Sequence, residues 1–219
     1  MGKFLNGNLS KTGRIFYLLA AVLLGLSLLF PWWTLRLEAP QYPEGLSMSV
    51  YAYKLAGGKI PSDPDDVDDI YRLNILNHYI GMMEIDEGTF TELTVMPWVV
   101  GALALLAAAA ALVRRNWLAI VAFLTLGAGG VVGMNRMFHW LNTFGSDLDP
   151  KAAIKIDPFV PPVMGQNTLA NFKTWSSFGL GGYLVGVAVV LMVVALVLAF
   201  RRYRQWDKKS SSVVSQSSS

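Results

Sequence analysis

Residues 99–134 read VVGALALLAAAAALVRRNWLAIVAFLTLGAGGVVGM. Two long apolar runs meet at the pair Arg114-Arg115, and that pair decides how the chain is laid out. Basic residues stay on the cytoplasmic side of a membrane, so Arg114-Arg115 marks an inward-facing turn between two crossings. Two more clusters flank the remaining apolar runs. Lys3, Lys11 and Arg14 precede the first, and Arg201, Arg202 and Arg204 follow the last. All three clusters share one side if the chain crosses four times with both ends inside.

The expected spans are about 15–35, 95–113, 117–135 and 180–200. A crossing takes about 20 apolar residues at 1.5 Å each. A soluble helical bundle would need polar faces at helical spacing, and these runs have none. A cleaved signal peptide is the other reading of the first run. That run is longer than an ordinary signal core, and no small-x-small cleavage site follows it. Pro31-Trp32-Trp33 then reads as an interface anchor, with Trp98, Trp117 and Trp175 at other span ends and Trp140 just beyond one.

The expected class is an all-α membrane protein, a four-transmembrane-helix bundle with a small mixed α/β extracytoplasmic cap. Its parts are a cytoplasmic tail at 1–14, a membrane domain at 15–200 with outer loops 36–94 and 136–179, and a basic then Ser-rich cytoplasmic tail at 201–219. The acids agree with this layout. Fourteen of 15 lie in the outer segments beside eight basic residues, whereas ten basic residues and Asp207 lie inside. The pI of about 9.1 thus reflects topogenic residues rather than a nucleic-acid surface. The expected location is the bacterial inner membrane. The expected partners are the lipid bilayer and other membrane or periplasmic proteins, with no nucleic acid.

Cysteine is absent, which excludes disulfides, thiolate metal sites and cysteine nucleophiles. Gly129/Gly133 and Gly182/Gly186 form Gly-x-x-x-Gly pairs, and residues 107–111 are all alanine; small residues let membrane helices approach closely. In the first outer loop Leu46, Met48 and Val50 alternate with polar neighbours, which predicts a strand. Thr34–Glu38 is its candidate partner, Pro40–Pro43 an extended link and Gly57-Gly58 a turn. Ser62-Asp63-Pro64 and the acids after it signal a helix start, with the helix running to Tyr79 or Ile80 and stopping at Gly81. The second outer loop reads as irregular. The acidic run is not a calcium loop. Counted from Asp63, the sixth and twelfth positions hold Asp68 and Asn74 where that loop needs Gly and Glu.

No hydrolase, transferase or nucleotide-binding pattern occurs, so no catalytic residue is expected and the chain is not read as an enzyme. The distinctive segment is Leu73–Glu84. It holds His78, one of two histidines, followed by Met82 and Met83 past the helix stop. The other histidine, His139, lies near Met134 and Met137. Imidazole with thioether suits Cu(I). The candidate metal residues are therefore His78, Met82 and Met83, completed or joined by His139, Met134 and Met137. The alternative is a packed histidine with gap-filling methionines.

Three segments carry a family resemblance: Ala39–Leu46, Leu76–Met82, and Asp157–Pro162 with Ala170-Asn171-Phe172. Together they resemble a family of bacterial four-span membrane proteins associated with gene neighbourhoods for copper-dependent respiration, notably nitrous oxide reductase maturation. The resemblance implies an accessory or assembly role for a copper enzyme. It carries over no ligand set, so the site above rests on ligand chemistry. A non-catalytic structural or assembly subunit of a larger membrane complex is the alternative function. Claudin-like proteins share the four-span layout, but their paired outer cysteines are missing here, so that likeness is one of architecture only.

Overall fold

The computed structural model describes residues 2–59, 67–169 and 172–217. In chain order the elements are α1 (Gly2–Leu5), α2 (Lys11–Ser27), β1 (Trp33–Ala39), β2 (Tyr42–Val50), β3 (Leu55–Gly57), α3 (Asp69–Ile80), α4 (Thr91–Val113), α5 (Asn116–Ser146), β4 (Gly165–Leu169), β5 (Phe172–Phe178) and α6 (Leu180–Ser217). They fall into two compact units. One comprises Met1–Leu26, Val99–Gly129 and Leu184–Ser219; the other comprises Ser27–Trp98 and Gly130–Tyr183.

The structure corrects the expected four-helix transmembrane bundle. Three helices are long and apolar enough to cross a membrane: Thr91–Val113, Asn116–Ser146 and Leu180–Trp206. The first apolar run does not form a fourth of that length. Its helix α2 has 17 residues, about 25 Å at 1.5 Å per residue, against roughly 30 Å of hydrocarbon. The rest of the run turns and then enters β1 at Trp33. Apolar side chains serve a sheet core as well as they serve a bilayer, so hydropathy alone could not divide the run.

The small cap is also corrected. The second unit is built on a five-stranded antiparallel sheet in the order β3-β2-β1-β5-β4. β1 is central. Its Leu35 lies opposite Met48 of β2 on one side and Ser176 of β5 on the other. Leu46, Met48, Trp33 and Ala39 alternate inward at period two and meet Leu73 and Leu76 of α3 in one core. Leu46 is wholly buried, which stabilises the unit by roughly 2 kcal/mol relative to an exposed leucine.

Several local expectations hold and others change. β1 and β2 pair as expected, but Pro40-Gln41 is the tight turn between them rather than an extended link, with Ala39 opposite Tyr42. Gly57 belongs to β3, and the turn between β2 and β3 lies earlier, closed by the Tyr51 N–H donating to the Lys54 carbonyl at 2.9 Å. A Cβ on Gly57 would collide with the Asp68 carboxylate. The glycine pair therefore gives room for the N-terminal acids of α3. The helix start expected at Ser62–Asp66 lies outside the described residues. α3 itself is capped by Asp68, whose carboxylate accepts from the Ile70 N–H at 2.7 Å. It ends at Gly81 with φ 79°, as expected.

The second outer loop is irregular only over residues 147–164, which include the extended Asp157–Pro162. α5 continues to Ser146, and β4 and β5 complete the sheet. Trp33 is no interface anchor either: it is buried, and its indole N–H donates to the Val163 carbonyl at 2.6 Å. Trp98, by contrast, is 79% exposed.

In the helical unit the buried small residues are mostly alanines: Ala20, Ala107, Ala110, Ala111, Ala119, Ala122, Ala188, Ala195 and Ala199. The expected glycine pairs do not do this packing. A Cβ on Gly129 would lie 3.8 Å from Leu103, one on Gly133 or Gly186 would meet no described atom within 4 Å, and one on Gly182 would strike the Trp32 carbonyl at 2.7 Å within the sheet unit. In the sheet unit, Gly179 and Gly181 serve close approach instead, since side chains there would strike Pro31 and Trp32.

A candidate cleft at the end of helix α3

The site begins with the helix stop. An α-helix leaves its last carbonyls unpaired, and Gly81 solves part of this by entering the left-handed region, where only glycine is unstrained. The Met82 N–H then donates to the Asn77 carbonyl at 2.9 Å. Residues 149–154 supply two further donors. The Asp149 N–H donates to the Gly81 carbonyl at 2.8 Å, and the Ile154 N–H donates to the Tyr79 carbonyl at 2.9 Å. The strap itself is tightened by the Lys151 N–H donating to the Asp149 carboxylate at 2.8 Å.

Between helix end and strap lies a cleft of about 270 Å³ lined by His78, Tyr79, Gly81, Met82, Asp149, Lys151, Ala152 and Ala153. His78 is exposed and Met82 half-buried. The His78 ring lies 6.3 Å from that of Tyr79, edge to face.

Two asparagines turn the chain back under the helix. Asn74 binds both backbone groups of Ile85: its Nδ2 donates to the carbonyl at 3.0 Å and its Oδ1 accepts from the N–H at 2.8 Å. Asn77 donates to the Met83 carbonyl at 3.4 Å. Met83 therefore follows the fold-back and does not line the cleft.

The structure brings His78 and Met82 together in this cleft. Met83, His139, Met134 and Met137 are not among its lining residues. His139 is exposed on α5, its ring 5.8 Å from that of Trp140, and Met134 is 37% exposed. Met137 packs against the sheet core. Residues two apart on a helix stand about 200° apart around its axis, so Met137 and His139 face different ways. Among the described residues there is no group of three His, Asp or Glu side chains arranged for a metal ion.

Sequence reasoning missed Asp149 and Lys151, which lie about 70 positions from His78 and bore no local signal. It also missed a cluster at the start of α4. The Glu92 carboxylate accepts from the Arg136 guanidinium and from the Trp140 indole, the latter at 3.2 Å, and Phe90 packs edge-on to Trp140. Glu92 stands in the first helical turn, where a negative charge is favoured. The i,i+4 spacing of Arg136 and Trp140 was the one readable hint.

The class these observations define is a membrane protein that joins helices of spanning length to an antiparallel-sheet unit. No protein-family model matches the chain, and no curated protein matches its sequence.

Proposed function

We propose that the chain is an accessory protein embedded in the bacterial cytoplasmic membrane that handles copper for the maturation of a respiratory copper enzyme. In this reading the sheet unit faces the extracytoplasmic side, and the α4–α5 turn and the basic tail after α6 face the cytoplasm. The charge split supports that orientation.

One observation carries the copper reading: His78 and Met82 share an open cleft. Imidazole and thioether are donors that Cu(I) accepts at low coordination number, and the Asp149 carboxylate in the same cleft favours a cation. The Lys151 ammonium opposes it. That balance suits a carrier that releases its ion to a recipient protein rather than a catalyst that retains it. The test is Cu(I) titration of the purified protein against a competing chelator, beside His78→Ala. We expect the variant to bind at least ten-fold more weakly. Equal, weak binding by both forms would remove the site.

A second reading, a non-catalytic assembly subunit, is favoured by the outward face of α3. Tyr71 and Tyr79 are 62% and 51% exposed there, beside His78. Exposed aromatics of this kind anchor protein interfaces. Co-purification of a partner at near-native expression, lost on Tyr71→Glu, supports this reading. Recovery as a lone monomer from mild detergent argues against it.

A further inference from the structure

The helical unit holds a second cavity, a groove of about 430 Å³ lined by Phe4, Ile120, Leu196, Val197, Phe200, Arg201 and Arg204. Five of its seven lining side chains are apolar, and the two charged ones are both arginines. The groove has a built wall. Phe4 is fixed by its own carbonyl, which accepts from Asn116 Nδ2 at 2.9 Å. Its ring packs edge-on to Phe200 at 5.7 Å and to Tyr203 at 5.5 Å. The arm behind it is held by Arg115 Nη1 donating to the Asn6 carbonyl at 2.9 Å and by the Leu9 N–H donating to the Arg114 carbonyl at 2.7 Å.

The polar end of the groove is equally specific. The Arg204 guanidinium sits over the Phe200 ring at 5.6 Å from its centroid, and Arg201 precedes it by three residues on the same helix. Both are exposed. In sequence, the segments of this unit hold ten basic residues against the single acid Asp207. The apolar stretch Leu180–Phe200 ends where these arginines begin, within the spanning helix Leu180–Trp206. An apolar trough that runs into two arginines at the end of a spanning helix matches one kind of molecule: an acyl chain joined to a phosphate.

We propose that this groove is a binding site for one anionic phospholipid of the leaflet on the side of the basic tail. An acyl chain lies against Phe4, Ile120, Leu196 and Val197, and the headgroup phosphate is held by Arg201 and Arg204. A neutral phospholipid keeps the chain contact but has no net charge for the arginines to hold, so the site selects by headgroup charge.

The experiment is native mass spectrometry of the full-length protein released from mixed micelles holding equimolar phosphatidylglycerol and phosphatidylcholine. The expected result is one phosphatidylglycerol retained in preference to phosphatidylcholine. Arg201→Gln and Arg204→Gln should each reduce that retention about five-fold. Arg202→Gln, outside the groove, should change it less than two-fold. Ile120→Trp should displace the lipid with every charge intact, which separates loss of the site from a change in membrane insertion. Equal retention of the two lipids overturns the proposal. So does an Arg202→Gln loss matching that of its neighbours, which marks diffuse attraction to the tail. Undiminished binding by Ile120→Trp, or displacement by glycerol 3-phosphate, marks a bare anion site and overturns it too.

Discussion

Asp149 donates its backbone N–H to the carbonyl of Gly81 at 2.8 Å, and the two residues are so close that a Cβ on Gly81 would lie 2.9 Å from the Asp149 nitrogen and oxygen. The helix stop and the strap that covers it are therefore one joint. Gly81→Ala puts a side chain into a left-handed backbone and against Ala152 at 2.8 Å. The left-handed conformation alone costs about 1 kcal/mol, and the collision adds to it. We expect a total loss of about 2–4 kcal/mol, read as a lower melting temperature, with Gly81→Val lower still.

Asn74 satisfies both backbone groups of Ile85, and alanine there strands a partly buried donor and acceptor together. The predicted cost of Asn74→Ala is about 1–3 kcal/mol. Hydrogen exchange localises it: the Ile85 amide should lose protection while amides in β1 keep theirs. Unchanged protection at Ile85 would show that the fold-back stands without Asn74.

Asp69 is 2% exposed and accepts from the Ser47 N–H at 2.9 Å and from Arg72 Nη1 at 3.1 Å. Removing the acid takes a buried charged acceptor away from both Ser47 and Arg72, a change of about 3 kcal/mol. Asp69→Ala should thus yield little folded protein. The double change Asp69→Leu with Arg72→Met should recover part of the yield, because apolar side chains of similar size then fill the buried positions. If the double variant folds no better than the single one, the bonds to Ser47 matter more than the charge pair.

Lys151 shares the cleft with His78 and Met82. On the copper reading, Lys151→Met removes a repelling charge and adds a thioether. Cu(I) affinity should rise about five-fold or more, and its salt dependence should fall. Weaker binding by this variant would count against a cation in the cleft.

Much of the membrane layout was open to inspection in the chain itself. The charge-free runs after Pro97 and after Gly179 became helices of spanning length, because nothing in them offers a sheet or turn. The run from Tyr17 misled because Trp33 and Leu35 are apolar for a different reason, facing α3 rather than lipid. β2 was legible through Leu46 and Met48, which alternate locally. β4 and β5 were not, since Gln166, Asn167, Lys173 and Thr174 show no alternation; β5 takes its register from β1, more than 130 positions earlier, and β4 takes its own from β5. The site divided in the same manner. His78 and Met82 are four apart and were readable. Asp149 and Lys151 reach them only through the strap, and no local pattern predicts which loop closes a helix end.

The central place of β1 sets a problem of timing. Its first neighbour, β2, follows within three residues, but its second, β5, is translated more than 130 residues later, after α4 and α5 have been made. At the usual pace of a ribosome that interval is roughly ten seconds. Throughout it, one side of β1 offers unpaired N–H and C=O groups to any extended chain nearby. The nascent protein thus carries an adhesive edge through most of its synthesis and loses it only when Phe172–Phe178 arrives. A slowed ribosome or a truncated message exposes the cell to that edge for longer than any defect in the finished fold would.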